Sequence, residues 1–182
     1  NVSGNIPKEI EERGFRVISI GPFNSIFHWS QHKKIQEIIE DFKPDIIHGA
    51  VFEGVTMAAI NGWLKKVPVI IIEETSFPIY RSWKANLLMK LFARLADKII
   101  GVSPTVTNEY LLKKIGLPKE KVVLVNNGVA LPKVLDNAQI LLLREQWGIK
   151  TTDFVVGSVG RMLSDANKRF SDIIKAFAMV SK

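Results

Sequence analysis

The feature that most constrains this chain is a repeated alternation of short apolar runs with helix-length amphipathic segments. The runs are residues 45–48 (DIIH), 67–72 (VPVIII), 98–102 (KIIGV) and 121–125 (KVVLV). Each has strand length and is too continuously apolar for a sheet with one wet face, so each reads as a buried strand. The intervening segments suit helices. Gly54, Ala58, Ala59 and Gly62 place small residues where a helix would lie close against a sheet. Ser103 supplies an N-cap, and Pro104 takes the first helical position, where its missing N–H costs nothing. Val106, Leu111, Leu112 and Ile115 give that segment an apolar face, with Gly116 and Pro118 closing it. Strands separated by helices imply a parallel sheet with right-handed crossovers. The expected fold is therefore α/β, a doubly wound parallel sheet of Rossmann-like type.

The same reading extends to both flanks. Residues 6–13 form a charged helix ended by Gly14, followed by an expected strand over residues 15–20 (FRVISI). Ile35, Ile38, Ile39 and Phe42 recur at helical spacing, which predicts a helix over residues 30–42 stopped by Pro44. Past Val129 the pattern weakens, and Pro132, Asp136-Asn137 and Gly148 punctuate it. One short helix is expected at residues 140–147, then a new strand at 154–159 and a helix at 169–181 with Ile173, Ile174 and Phe177 on one face. The division that follows is residues 1–130 as one domain, 131–153 as a connection, and 154–182 as the start of a second domain, whose further extent is expected beyond Lys182.

At 182 residues the chain exceeds the roughly 100 to 150 residues of a common single domain. It contains no cysteine, which excludes disulfides, thiolate metal sites and thiol nucleophiles and fits a reducing cytoplasm. The net charge of +7 favours an anionic partner. No Gly-x-Gly-x-x-Gly follows a strand, no Walker lysine loop occurs, and no Asp-x-Asp pair offers a metal site.

Open parallel sheets bind ligands at the carboxyl ends of their strands, which makes the residues there candidates. His48 ends one run, with Gly49 beside it, and Glu73, Glu74 and Thr75 end the next. A carboxylate in that position can accept a proton from a hydroxyl, and Glu74 is taken with His48 as the catalytic candidate. Ser103, Asn127 and Gly128 stand at the ends of the last two strands, where capping and turn formation also explain them. Gly160 and Arg161, followed by Lys168 and a helix, combine a glycine that admits a phosphate, helix N–H groups and two cations, the parts of a diphosphate site.

With these residues in view the chain resembles a known family. The run ADKIIGVSPTVTNEYLLKKIGLPKEKVVLVNNGV, residues 96–129, is similar to the end of the first domain of retaining GT-B glycosyltransferases of sequence family four. Asn126 and Ala130 stand where that family usually has proline and aspartate. The resemblance implies an N-terminal acceptor-side domain joined to the beginning of a nucleotide-sugar-binding domain. It implies transfer of a sugar from a nucleotide-diphosphate donor to an acceptor hydroxyl with retention, no cofactor and no bound metal. It places His48 near the sugar or acceptor, and Arg161 and Lys168 on the donor diphosphate. These residues alone are not expected to turn over. The acceptor is left open.

Two readings remain beside each other. One is this hexosyltransferase-type enzyme; the other is a non-catalytic α/β module that binds a ligand or regulates. Residues 81–98 form a basic amphipathic segment, with Trp83, Leu87, Leu88, Leu91, Phe92 and Leu95 among Lys84, Lys90, Arg94 and Lys98. It fits an anionic membrane surface, as in a cytoplasmic protein held peripherally, and it equally fits a helix that covers the sheet. The segment is too poor in aromatic residues to stack bases, and no nucleic-acid partner is expected.

Overall fold

The computed structural model describes residues 5–22, 25–78, 81–160 and 169–180. The chain divides into two compact units, Asn1–Val129 and Ala130–Lys182. The first carries a four-stranded parallel sheet in the order β1-β2-β3-β4. The strands are β1 (Ile46–Ala50), β2 (Val69–Glu74), β3 (Lys98–Gly101) and β4 (Val122–Leu124). All pairs are parallel, with Ile46 opposite Val69, Ile71 opposite Lys98, and Ile99 opposite Val122. The α/β architecture is the expected one.

Two helices, α1 (Asn5–Glu12) and α2 (Trp29–Phe42), precede the sheet, and α3 (Val51–Leu64) and α4 (Trp83–Leu95) are crossovers. The third crossover, Val106–Lys114, is wound as a π-helix, with Ile115 N–H donating to Tyr110 C=O at 2.9 Å. Because successive strands are neighbours and crossovers are right-handed, all three connections fall on the same face. The core lies there: Ile70, Ile72 and Ile99 meet Val55 and Ala59 of α3, Met89 and Phe92 of α4, and Val106 and Leu111 of the π-helix. Gly62 lets α3 approach closely, since a Cβ there would press on Ile47 and Ile70. Along β2 buried and half-buried residues alternate, so Ile70, Ile72 and Glu74 share the core face while Val69, Ile71 and Glu73 share the other.

Polar groups fix two joints. Asn61 is buried on α3; its Nδ2 donates to Met57 C=O at 2.8 Å and to His32 Nδ1 at 3.0 Å, and its Oδ1 accepts from Gln36 Nε2. His32 Nε2 donates in turn to Ile26 C=O, which defines the tautomer and ties α2 to α3. Asp97, in the run that carries the family resemblance, accepts Ile70 N–H at 2.8 Å and so closes the start of β2 against β3.

Two expected strands are absent. Residues 15–20 and 154–159 form no strand or helix, and Phe15, Phe154 and Val159 are largely exposed. A strand leaves its N–H and C=O groups unmatched until a neighbour pairs them, and neither segment has a neighbour among the described residues. The second unit is instead helical: α5 (Asn137–Gln146) begins with a capping box between Asp136 and Gln139, and α6 is Phe170–Val180.

Candidate functional site

The candidates on Asn1–Val129 stand at or just past the carboxyl ends of the four strands. β1 turns into α3 through Gly49 and Ala50, and a Cβ on Gly49 would overlap the Gly54 carbonyl oxygen. The turn also holds Val51 at φ 62°. A β-branched residue in the left-handed region costs roughly 1 to 2 kcal/mol, and such strain collects where a backbone must present its groups in a set direction.

His48 stands on β1 with its side chain 45% exposed, and its Nε2 lies 3.1 Å from Glu73 Oε2. Glu73 is one residue from the expected Glu74. With Nε2–H donating to the carboxylate, Nδ1 is left as an acceptor. That is the arrangement in which a carboxylate orients an imidazole that takes a proton from a hydroxyl. Beside it is a cavity of about 400 Å³ lined by His48, Ala50, Glu53 and Gly54, with Ile20, Ile47 and Met57 as apolar wall. A larger cavity of about 550 Å³ lies at the opposite, N-terminal ends of β1 and β2, beside Asp45 and Pro68. Ligands of open parallel sheets bind at the carboxyl ends, so the smaller cavity is the candidate.

Glu74 has a different place. It lies on the core face, 4% exposed, and Arg81 donates to both of its oxygens, Nη2 at 3.2 Å. Arg81 Nη1 also donates to Tyr110 Oη at 2.7 Å, and Tyr110 Oη–H donates to Asn86 Oδ1 at 2.9 Å. The guanidinium lies 5.4 Å from the ring centroids of both Phe52 and Tyr110. Burial holds the Glu74 carboxyl above its ordinary value, and Arg81 offsets only part of that. Burial likewise raises the Tyr110 phenol. For Arg81, burial opposes the charge, and the interactions with Glu74 and Tyr110 together outweigh it, so its value is raised. A carboxylate buried with both oxygens in the fork of a guanidinium is committed to that partner and shielded from solvent. Glu74 therefore anchors the loop after β2, and the group that faces His48 is Glu73.

Ser103 follows β3 and is occupied in capping, its Oγ accepting Val106 N–H at 3.2 Å. Asn127 and Gly128 lie past the end of β4, exposed, with no atom within 4 Å of a Cβ at Gly128. Gly160 is exposed in the second unit, while Arg161 and Lys168 lie outside the described residues. Among the described residues no cluster of three metal-ligating side chains occurs. Three participants escaped the sequence reading: Arg81, Tyr110 and Glu73 in its pairing with His48. The adjacent Glu73-Glu74 pair was the only signal, and choosing between them requires knowing which face of β2 is covered.

Comparison with known proteins gives two findings. A model of Glycosyltransferase Family 4 matches residues 2–132. The UDP-N-acetylglucosamine–N-acetylmuramyl-(pentapeptide) pyrophosphoryl-undecaprenol N-acetylglucosamine transferase of Oenococcus oeni (strain ATCC BAA-331 / PSU-1) is 31% identical over 124 residues, 66% of this chain. The chain spans 29% of that relative's length.

Proposed function

This chain belongs to Glycosyltransferase Family 4, and from that premise we propose that it forms the acceptor side of an enzyme moving a sugar from a nucleotide-diphosphate donor to an acceptor hydroxyl. The observation that carries the reading is the His48–Glu73 pair, 3.1 Å apart at the carboxyl edge of the sheet beside an open cavity. His48 takes the proton of the acceptor hydroxyl through Nδ1, and Glu73 holds the ring and steadies the positive charge that develops. Arg161 and Lys168 neutralise the departing diphosphate, so that transfer needs no bound metal and survives a chelator.

The resemblance of residues 96–129 supports retention at the anomeric carbon. The His48–Glu73 pair supports the alternative of direct displacement with inversion, because a base on the acceptor side activates the attacking hydroxyl. NMR of the anomeric proton in the first-formed product separates the two. The function itself is tested by donor-dependent kinetics. His48→Ala should lower kcat/KM by about 10² to 10⁴-fold, the usual worth of a general base. Glu73→Gln should fall in the same direction, with a melting curve unlike that of an unfolded protein. Arg161→Ala should lose about tenfold to a hundredfold, since a charge-assisted bond contributes roughly 1.5 to 3 kcal/mol. Full activity in a folded His48→Ala protein would remove the acceptor-base role. The kinetics are run on the complete enzyme that carries these residues, and absence of transfer from every nucleotide sugar by that enzyme would favour a non-catalytic ligand-binding module.

A further inference from the structure

Helix α4 carries two apolar stripes, and the sheet uses one of them. Met89, Phe92 and Ala93 are buried, and Leu88 and Leu95 pack partly against the core. Covering the sheet therefore requires none of Trp83, Leu87 and Leu91, which are 71%, 52% and 41% exposed. At 100° per residue these three fall within about a quarter-turn of each other, one above the next along the helix. Lys84, Lys90 and Arg94 are exposed on the same side. Lys84 Nζ stands 5.8 Å from the Trp83 ring centroid. No acidic residue occurs anywhere in α4.

We propose that this outer face of α4 lies on an anionic lipid bilayer, Trp83, Leu87 and Leu91 entering the headgroup boundary while Lys84, Lys90 and Arg94 meet the lipid phosphates. The charge pattern selects the occupant. A folded protein partner would have to match three cations dispersed among three large apolar side chains. An anionic bilayer presents phosphate above hydrocarbon continuously, and lysine and arginine can keep their charged ends at the phosphate level while their stems lie along the apolar stripe. The chain's net charge of +7 acts in the same direction over longer range. Among the described residues no helix is long and apolar enough to cross a membrane, so the contact is with its surface. The docked end bears on the candidate site. Trp83 is two residues from Arg81, whose guanidinium is locked onto Glu74 at the carboxyl end of β2. The surface would thus stand near the cavity by His48, where an acceptor held in the bilayer could reach it.

This inference goes beyond sugar transfer, and its test reads no activity, so either can fail without the other. The full chain is sedimented with vesicles of phosphatidylcholine alone and of phosphatidylcholine with phosphatidylglycerol, across a range of salt. Binding should require phosphatidylglycerol and weaken as salt rises. The triple variant Lys84→Gln, Lys90→Gln, Arg94→Gln should bind about a hundredfold more weakly, each basic residue near the surface being worth roughly fivefold. Leu87→Gln with Leu91→Gln should lose about tenfold or more and lose what binding persists at high salt. All these residues are exposed, so melting curves should be unchanged; if either multiple variant unfolds, Leu87→Gln alone serves. Equal binding to both vesicle types, no binding by the wild type, or undiminished binding by the charge variant would overturn the proposal. So would tight binding of an oligonucleotide through the same three cations in a protein that ignores vesicles.

Discussion

Two neighbouring glutamates on one strand have opposite surroundings because side chains alternate across a sheet. Glu73 faces His48 at 3.1 Å, and Glu74 is buried in the fork of Arg81. Removing one member of a buried ion pair leaves the other uncompensated, at a cost of about 3 to 5 kcal/mol. Arg81→Ala should be destabilised to that extent in urea unfolding, whereas Arg81→Met combined with Glu74→Leu should recover most of the loss. Equal loss in single and double variants would show that the pair contributes nothing specific. The acid titration of Glu74 gives a second expectation. A carboxyl whose value is higher in the folded than in the unfolded chain binds its proton more readily when folded. Its contribution to stability is present in full below the ordinary carboxylate value and is lost as pH rises through the raised one. The stability of wild type relative to Glu74→Gln should therefore fall across that window. A relative stability that rises with pH there would mean that Arg81 outweighs burial.

At the scale of elements, pairing decides what counts as a strand. β1 to β4 are apolar runs with partners; residues 15–20 and 154–159 are apolar runs without them among the described residues. Amide hydrogen exchange should accordingly be slow along β2 and β3 and fast in both unpaired segments. Slow exchange over residues 15–20 would show that they do pair in solution. The π-helix Val106–Lys114 is the other departure. Its sequence shows a helix start at Ser103 and a stop at Gly116 and carries no sign of the wider winding. Val106, Tyr110 and Leu111 are all buried, and Tyr110 must reach both Arg81 and Asn86. Such windings are rare and frequent at functional sites.

Across the whole molecule, the chain separates after Val129 into two units. Val129, Leu131 and Val134 are each almost fully exposed, and the capping box at Asp136 ends the irregular stretch. Exposed backbone without ladder or helical bonds is what a protease can fit into its cleft. Limited proteolysis should therefore cut first between residues 130 and 135, leaving a stable product that contains all four strands. A first cut inside α3 or α4 would contradict the division.

The sequence by itself determined the parallel α/β sheet, its four paired strands to within two residues, and the positions of the crossovers. It could do so because strand length, apolar continuity and caps are local properties of a few adjacent residues. It also placed His48, Glu74, Ser103 and Asn127-Gly128 at the carboxyl edge, since each follows an apolar run. Only the tertiary structure decided which glutamate faces His48 and which is locked by Arg81. That choice depends on which face of β2 the helices cover, and on an arginine seven residues along the chain folding back over its end. For the same reason α4, one amphipathic helix in sequence, is divided by packing into a stripe the sheet consumes and a stripe it leaves to solvent.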